Sequence, residues 1–150
     1  MSNILNDDFV DFLNALKECN VEYILVGGYA VIYHGYNRTT GDLDVWVNPT
    51  KENYRKLILA FNKFGLSLFD MTEELFLANK ELNVFTFGRP PVCIDLLTRL
   101  KGLNFDEVYP SSYQTEFSGV DVRMIDLPDL IRAKKASNRP KDIDDINHIS

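Results

Sequence analysis

V-E-Y-I-L-V-G-G-Y-A-V-I-Y-H-G-Y-N-R-T-T-G-D-L-D-V-W-V, residues 21–47, is the stretch whose reading decides the fold. Tyr23-Ile24-Leu25-Val26 is an apolar run of the length of one buried strand. Gly27 and Gly28 follow, and Tyr29 to Tyr33 reads as a short helix. After a polar turn, Asn37 to Gly41, a second strand spans Asp42 to Val47. Side chains alternate along a strand, so Asp42, Asp44 and Trp46 share one face, and Leu43, Val45 and Val47 the other. Two carboxylates side by side on a rigid support repel unless a cation lies between them or one is protonated. A divalent metal is the simplest answer.

Working outward, the Gly27-Gly28 pair between strand and helix allows close approach of backbone to a ligand. It also gathers free N–H groups at the positive end of a helix dipole, which suits phosphate. The plainer alternative is a tight strand-to-helix turn. A phosphate cradle facing a carboxylate pair is the outline of a nucleoside triphosphate site.

Gly27-Gly28, Asp42-x-Asp44 on the next strand and a lone strand aspartate, Asp95, together resemble the nucleotidyltransferase superfamily of DNA polymerase β. The fuller pattern is G-G-Y-A…H-G…R-T-T-x-D-L-D, with L-P-D-L-I-R-A-K and R-P-K-D-I-D-D-I near the end. It is similar to the small bacterial branch that includes AbiEii-type toxins, and it spans about Tyr23 to Ile146. The resemblance implies an α+β fold, a mixed sheet flanked by helices with a helical C-terminal end. It also implies that Asp95 completes the metal site and accepts the proton of an attacking hydroxyl. Such proteins usually carry Gly-Ser where this chain has Gly27-Gly28, so only backbone contacts remain at the second position.

Composition agrees with an ordinary globular chain. Of its 150 residues 45% are hydrophobic and 12% aromatic, which supports a sizeable core and one domain over residues 1–150. No apolar run approaches the ~20 residues of a membrane helix. The first residues lack an export pattern, and Cys19 and Cys93 form no CxxC pair, so reduced thiols and a cytoplasmic location are expected. A net charge of -6 argues against a general polynucleotide coat. Arg132, Lys134, Lys135, Arg139 and Lys141 nevertheless cluster near the end, where an anion can be met.

Along the chain, Phe9, Phe12, Leu13 and Leu16 mark an amphipathic helix capped by Asn6. Thr50 caps another, with Tyr54, Leu57, Ile58 and Phe61 on its stripe and Gly65 at its end. The stretch from Thr72 to Asn79 is ambiguous. Leu82 to Phe87 and Val92 to Leu97 read as a hairpin about Gly88-Arg89-Pro90-Pro91, and Gln114 to Phe117 and Val120 to Ile125 as another about Ser118-Gly119. Phe105 to Tyr109 is loosely helical. Helices then run from Leu127 to Ser137 and from Lys141 onward, the latter with Ile143, Ile146 and Ile149 inward.

Each candidate residue has a bland explanation beside the functional one. Asp42 and Asp44 also suit a solvated edge strand, and Asp95 an edge charge paired with Arg89 or Arg99. Lys134 falls on the apolar stripe set by Leu127, Leu130 and Ile131. It either snorkels outward or points into the site toward triphosphate. Arg38 touches phosphate or pairs with an aspartate. Asp142 matches a position that some relatives use at the active site, yet an acid early in a helix is ordinary. His34 and His148 have no partners for zinc, which needs three or four ligands, so a structural role is expected. Trp46 suits base stacking or, more simply, packing.

The leading expectation is a nucleotidyltransferase that needs Mg²⁺ or Mn²⁺. Asp42, Asp44 and Asp95 hold metal, while Gly27, Gly28, Arg38, Lys134 and Asp142 bind nucleotide. An NTP donates its nucleoside monophosphate to the hydroxyl of a protein, an RNA or a small molecule. Relatives often belong to toxin–antitoxin pairs, so a cognate toxin or antitoxin is an expected partner. The alternative is a non-catalytic module of the same fold acting through a protein partner. Metal-dependent phosphoester hydrolysis uses similar carboxylates, and nothing in the sequence favours it.

Overall fold

A computed structural model describes residues 5–68, 71–78, 84–89 and 92–150. Strands β1 (Tyr23–Val26), β2 (Leu43–Val47), β3 (Val84–Arg89), β4 (Val92–Leu97), β5 (Tyr113–Phe117) and β6 (Val120–Met124) form one mixed sheet in the order β3-β4-β2-β1-β6-β5. Both expected hairpins are present, as β3/β4 and β5/β6. The Pro90-Pro91 end of the first connection and the start of its first strand lie outside the described residues. Ser118 and Gly119 both take positive φ, 55° and 80°, as the tight turn of a twisted hairpin requires. The central pair β1/β2 is antiparallel, and β2 runs parallel to β4. The fold is therefore the expected α+β sheet flanked by helices.

Helices α1 (Asp7–Glu18), α2 (Gly27–Tyr33), α3 (Lys51–Phe64), α4 (Glu73–Ala78), α5 (Phe105–Val108), α6 (Leu127–Ser137) and α7 (Pro140–Ile149) surround it. Local signals are satisfied: Asn6 accepts from the Asp8 amide and Thr50 from that of Asn53, while Gly65 ends α3 at φ 86°. Helix α4 settles the ambiguous stretch.

Phe12 meets Phe61 and Phe64 edge-on at 5.5 and 5.3 Å, binding α1 to α3, and Phe61 meets Phe87 at 4.8 Å. These rings cover the sheet face that holds the buried Leu43, Val45, Phe85, Phe87, Ile94 and Leu96. Register then dictates the other face. Asp44 lies opposite Asp95, and Asp95 opposite Thr86, so the polar residues of three adjacent strands emerge together.

One expectation fails at the C-terminal end. Ile149 is buried and Ile146 half-buried, but Ile143 is 49% exposed, and the inner face of α7 is formed by Asp142 and Asp145, at 0% and 1% exposure. Hydrophobic spacing misjudged this helix because cations await the two carboxylates. Arg139 and Lys134 meet Asp142, while Arg38 and Lys134 meet Asp145. Buried charge is tolerated where it is paired and hydrogen-bonded.

Candidate active site

The sheet's polar face opens into a cavity of about 480 Å³ whose walls include all eight residues singled out from the sequence: Gly27, Gly28, Arg38, Asp42, Asp44, Asp95, Lys134 and Asp142. They come from five elements and the loop before β2. That loop, α6 and α7 stand against the ends of β1, β2 and β4. Asp95 is on an inner strand rather than at the sheet's edge, because β3 lies outside it, and it accepts a hydrogen bond from Thr86 Oγ1 at 2.7 Å.

The acidic wall is electrostatically crowded. Burial, the charge of Asp95 and then that of Asp42 push the Asp44 carboxyl up from its ordinary 3.8 to about 7, and its hydrogen bond with Asp95 acts in the same direction. Asp44 is thus the easily protonated member of a crowded acid pair across β2 and β4. All the donors are carboxylate oxygens, which suits a hard divalent cation rather than zinc. As placed, no three acidic, imidazole or thiol groups among the described residues are grouped tightly enough to hold one ion. The carboxylate pair fits the ion's charge and chemistry, and Asp42 stands exposed beside it.

The glycines serve this wall directly. A Cβ on Gly27, whose φ is +72°, would collide with the Asp44 carboxylate, and one on Gly28 would collide with Thr40. Val26, the strand residue just before them, pairs with Asp44 across the sheet. Strand, turn and acid therefore interlock. Gly27→Ala should lower stability by about 2–3 kcal/mol through steric and backbone strain. It should also displace the Asp44 side chain, so thermal melts and titration of divalent ions should both change. A melt identical to wild type would contradict the interlock.

Opposite stands a basic wall. Lys134 Nζ lies 3.0 Å from Asp145 and 3.4 Å from Asp142, with its side chain 8% exposed, so it points inward rather than snorkelling. Arg38 grips Asp145 through Nε at 2.8 Å and Nη2 at 3.0 Å, and donates Nη1 to the Thr39 carbonyl. Of its two sequence readings the structure gives the pairing with an aspartate, at a place in the cavity wall. Both Asp142 oxygens take bonds from Arg139, whose backbone N–H also bonds Oδ2. Burial opposes ionisation of Asp142, but the Arg139 bonds and the Lys134 charge outweigh it and hold the carboxyl at about 2. Asp142 reaches the wall as an anchor for cations.

Four further residues of this surround carried weaker signals. Thr40, Arg139 and Lys141 line the same cavity, and Asp145 joins Arg38 to Lys134. Thr40 sits inside the R-T-T-x-D run, and Asp145, which the sequence reading passed over, lies i+3 from Asp142 on one helix face, a spacing that could have found it. His34 is structural, with Nε2 bonded to the Ile125 carbonyl at 2.8 Å. Trp46 is buried edge-on against Phe105, so it is not placed to stack on a base. Lys135 is exposed.

Comparison with known proteins follows the same line. A family model described as nucleotidyltransferase of unknown function (DUF6036) matches residues 7–149. Among solved structures, the lincosamide antibiotic adenylyltransferase LnuA in its lincomycin-bound form is similar in fold. The TM-score is 0.57 at 13% sequence identity, covering 99% of this chain and 98% of that one. No curated protein sequence matches. No helix among the described residues is long and apolar enough to cross a membrane.

Proposed function

The chain belongs to this nucleotidyltransferase family, and from that premise we propose that its cavity transfers a nucleoside monophosphate from an NTP to an acceptor hydroxyl, with Mg²⁺ or Mn²⁺ as cofactor. The carrying observation is an acidic wall, Asp42, Asp44 and Asp95, facing a basic one, Arg38 and Lys134, across a space of triphosphate size. When bound, the divalent ion neutralises triphosphate charge and lowers the pKa of the acceptor hydroxyl. Asp44 and Asp95 would hold it, with Asp42 turning in. The amides at Gly27 and Gly28 with the Lys134 ammonium would bind the β- and γ-phosphates and absorb charge on the leaving group. The acceptor oxygen forms a bond to the α-phosphorus, the bond from that phosphorus to the bridging oxygen breaks, pyrophosphate departs, and the hydroxyl proton passes to Asp95. A cytoplasmic setting and a role in a toxin–antitoxin pair remain part of this reading through the family resemblance.

The test is incubation of cell lysate with the protein, Mg²⁺ or Mn²⁺ and each α-labelled NTP. Label should enter one class of molecule and should be absent with Asp42→Asn/Asp44→Asn. Labelling that survives the double variant would refute the site, and any real labelling excludes a purely non-catalytic module. A pH signature should accompany it. The proton held at Asp44 must leave before an ion can bind. Mn²⁺ affinity should therefore rise about tenfold per pH unit below about 7, the Asp44 value, and level off above it. Calorimetric titrations between pH 5.5 and 8.5 would check this, and a flat affinity would contradict it.

A further inference from the structure

On the face of β2 that carries Asp44, the next side chain is Trp46, and it lines a second cavity of about 630 Å³ that the nucleotide reading leaves unused. Leu100 belongs to the walls of both cavities. Two residues along a strand cover about 7 Å. The second space therefore opens beside the acid pair, within reach of a small molecule whose far end lies at Asp95. Asn48, Thr98, Lys101 and Phe105 complete the walls that matter here.

Two residues of this lining carry an anomalous atom. Trp46 Nε1 and Thr98 Oγ1 are shut off from solvent with no hydrogen-bond partner among the described residues. The two residues are 1% and 3% exposed. Native proteins keep few such groups, since each unmet donor is costly. The indole is not free to turn elsewhere: Phe105 meets it edge-on at 5.2 Å, and Phe105 itself stacks on Tyr109 at 5.3 Å. An indole N–H can only donate, while a hydroxyl donates or accepts. Their complement is a molecule rich in oxygen acceptors that also donates, which is the chemistry of a polyol or sugar. A polynucleotide would call for a row of cations, and the chain's net charge is -6.

We propose that this second cavity is the acceptor subsite of the transferase, and that it takes a small polyhydroxylated molecule. The inference rests on the nucleotidyl-transfer reading above. Both atoms are sealed from solvent, so binding shifts the side chains that cover them. Oxygens of the ligand then accept from Trp46 Nε1 and exchange a bond with Thr98 Oγ1, while another of its hydroxyls reaches the acid pair. That hydroxyl oxygen is the one that bonds the α-phosphorus, giving its proton to Asp95 as pyrophosphate leaves.

The chain has one tryptophan, so its indole N–H gives a single signal in a ¹H–¹⁵N spectrum that reports on this cavity alone. Addition of myo-inositol, D-glucose or D-glucose 6-phosphate should move that signal saturably for at least one probe. Thr98→Val should weaken the dissociation constant about fivefold, the worth of one hydrogen bond. That substitution removes an unpaired hydroxyl, so the fold should hold. A non-hydrolysable ATP analogue in the same sample should move the Gly27 and Gly28 amides, which reads the nucleotide site separately. Responsive glycines with a silent indole would overturn the acceptor subsite alone. An indole shift unchanged by Thr98→Val would overturn it too. A responsive indole with silent glycines would remove the acceptor role together with the nucleotide reading.

Discussion

Asp44→Asn should cut nucleotidyl transfer about a thousandfold or more and yet raise the melting temperature of the protein in EDTA at neutral pH. Loss of transfer follows from removing a half-buried carboxylate from the proposed cation's seat, where several kcal/mol of charge stabilisation act on the reaction. The gain in stability follows from the same crowding. The folded carboxyl titrates near 7, against an ordinary 3.8, because of burial and then the charges of Asp95 and Asp42. Below about pH 4 the group is protonated in both folded and unfolded chains, and nothing is lost. Between about 4 and 7 the folded state keeps a proton that the unfolded state has released, so stability falls as pH rises. Above 7 the deficit is constant, on the order of 3 kcal/mol after allowing for partial exposure. An amide has no charge to repel Asp95, and the variant should lose that slope. Asp142 acts in the opposite sense: held at about 2, its stabilisation is present above about pH 4 and fades below it. Melts from pH 3 to 8 in EDTA would separate the two. An unchanged slope between 4 and 7 in Asp44→Asn would show that the acid pair is not strained as described.

Much of this site was legible because its determinants are local. The i, i+2 spacing of Asp42 and Asp44 put both acids at one place on an extended stretch, although β2 begins only at Leu43 and Asp42 stands exposed just before it. The Gly27-Gly28 pair follows a strand too apolar to be mistaken. Asp95 stood out as the one charge in Val-Cys-Ile-Asp-Leu-Leu. What the sequence could not disclose was the partner of each residue. The glycines read as a phosphate cradle, but the contacts that forbid a side chain there are with Asp44 and Thr40, and the latter lies in an unstructured loop. Helix α7 was misread for a related reason. Periodicity counts isoleucines as inward by type, while burial is settled by what stands opposite, and here that is Lys134 and Arg38 rather than an apolar wall. The second cavity left no signal, since packing was the simpler reading of Trp46 and Thr98 carries no motif, until their polar atoms are seen to lack partners among the described residues.

The charged hub yields the other large effect, and it inverts the ranking that hydrophobicity would give. Asp145→Asn should cost about 3 kcal/mol or more, whereas Ile143→Ala, two residues away, should cost less than about 0.5 kcal/mol. Asp145 is 1% exposed and receives two bonds from Arg38 and one contact from Lys134 at 3.0 Å. Breaking a buried pair by neutralising one member leaves the opposing charges uncompensated, which is dearer than the net worth of the pair itself. Here two cations would lose their buried countercharge: Arg38 would keep the Thr39 carbonyl, the Tyr36 ring and a bond to a neutral amide oxygen, and Lys134 would keep as ionic partner only the longer contact to Asp142 at 3.4 Å. Ile143 is 49% exposed, so truncating it opens no cavity. For a chain of this length the Asp145 loss corresponds to a fall of about 10 °C in melting temperature. Nucleotide should partly rescue it, because the triphosphate supplies the anion that both cations have lost, and ligand that binds only the folded state stabilises by mass action. ATP with Mg²⁺ should therefore raise the melting temperature of Asp145→Asn by more than it raises that of wild type. Equal shifts in the two proteins would mean that Arg38 and Lys134 never meet the phosphates, and equal costs for Asp145→Asn and Ile143→Ala would mean that α7 is held by its isoleucines after all.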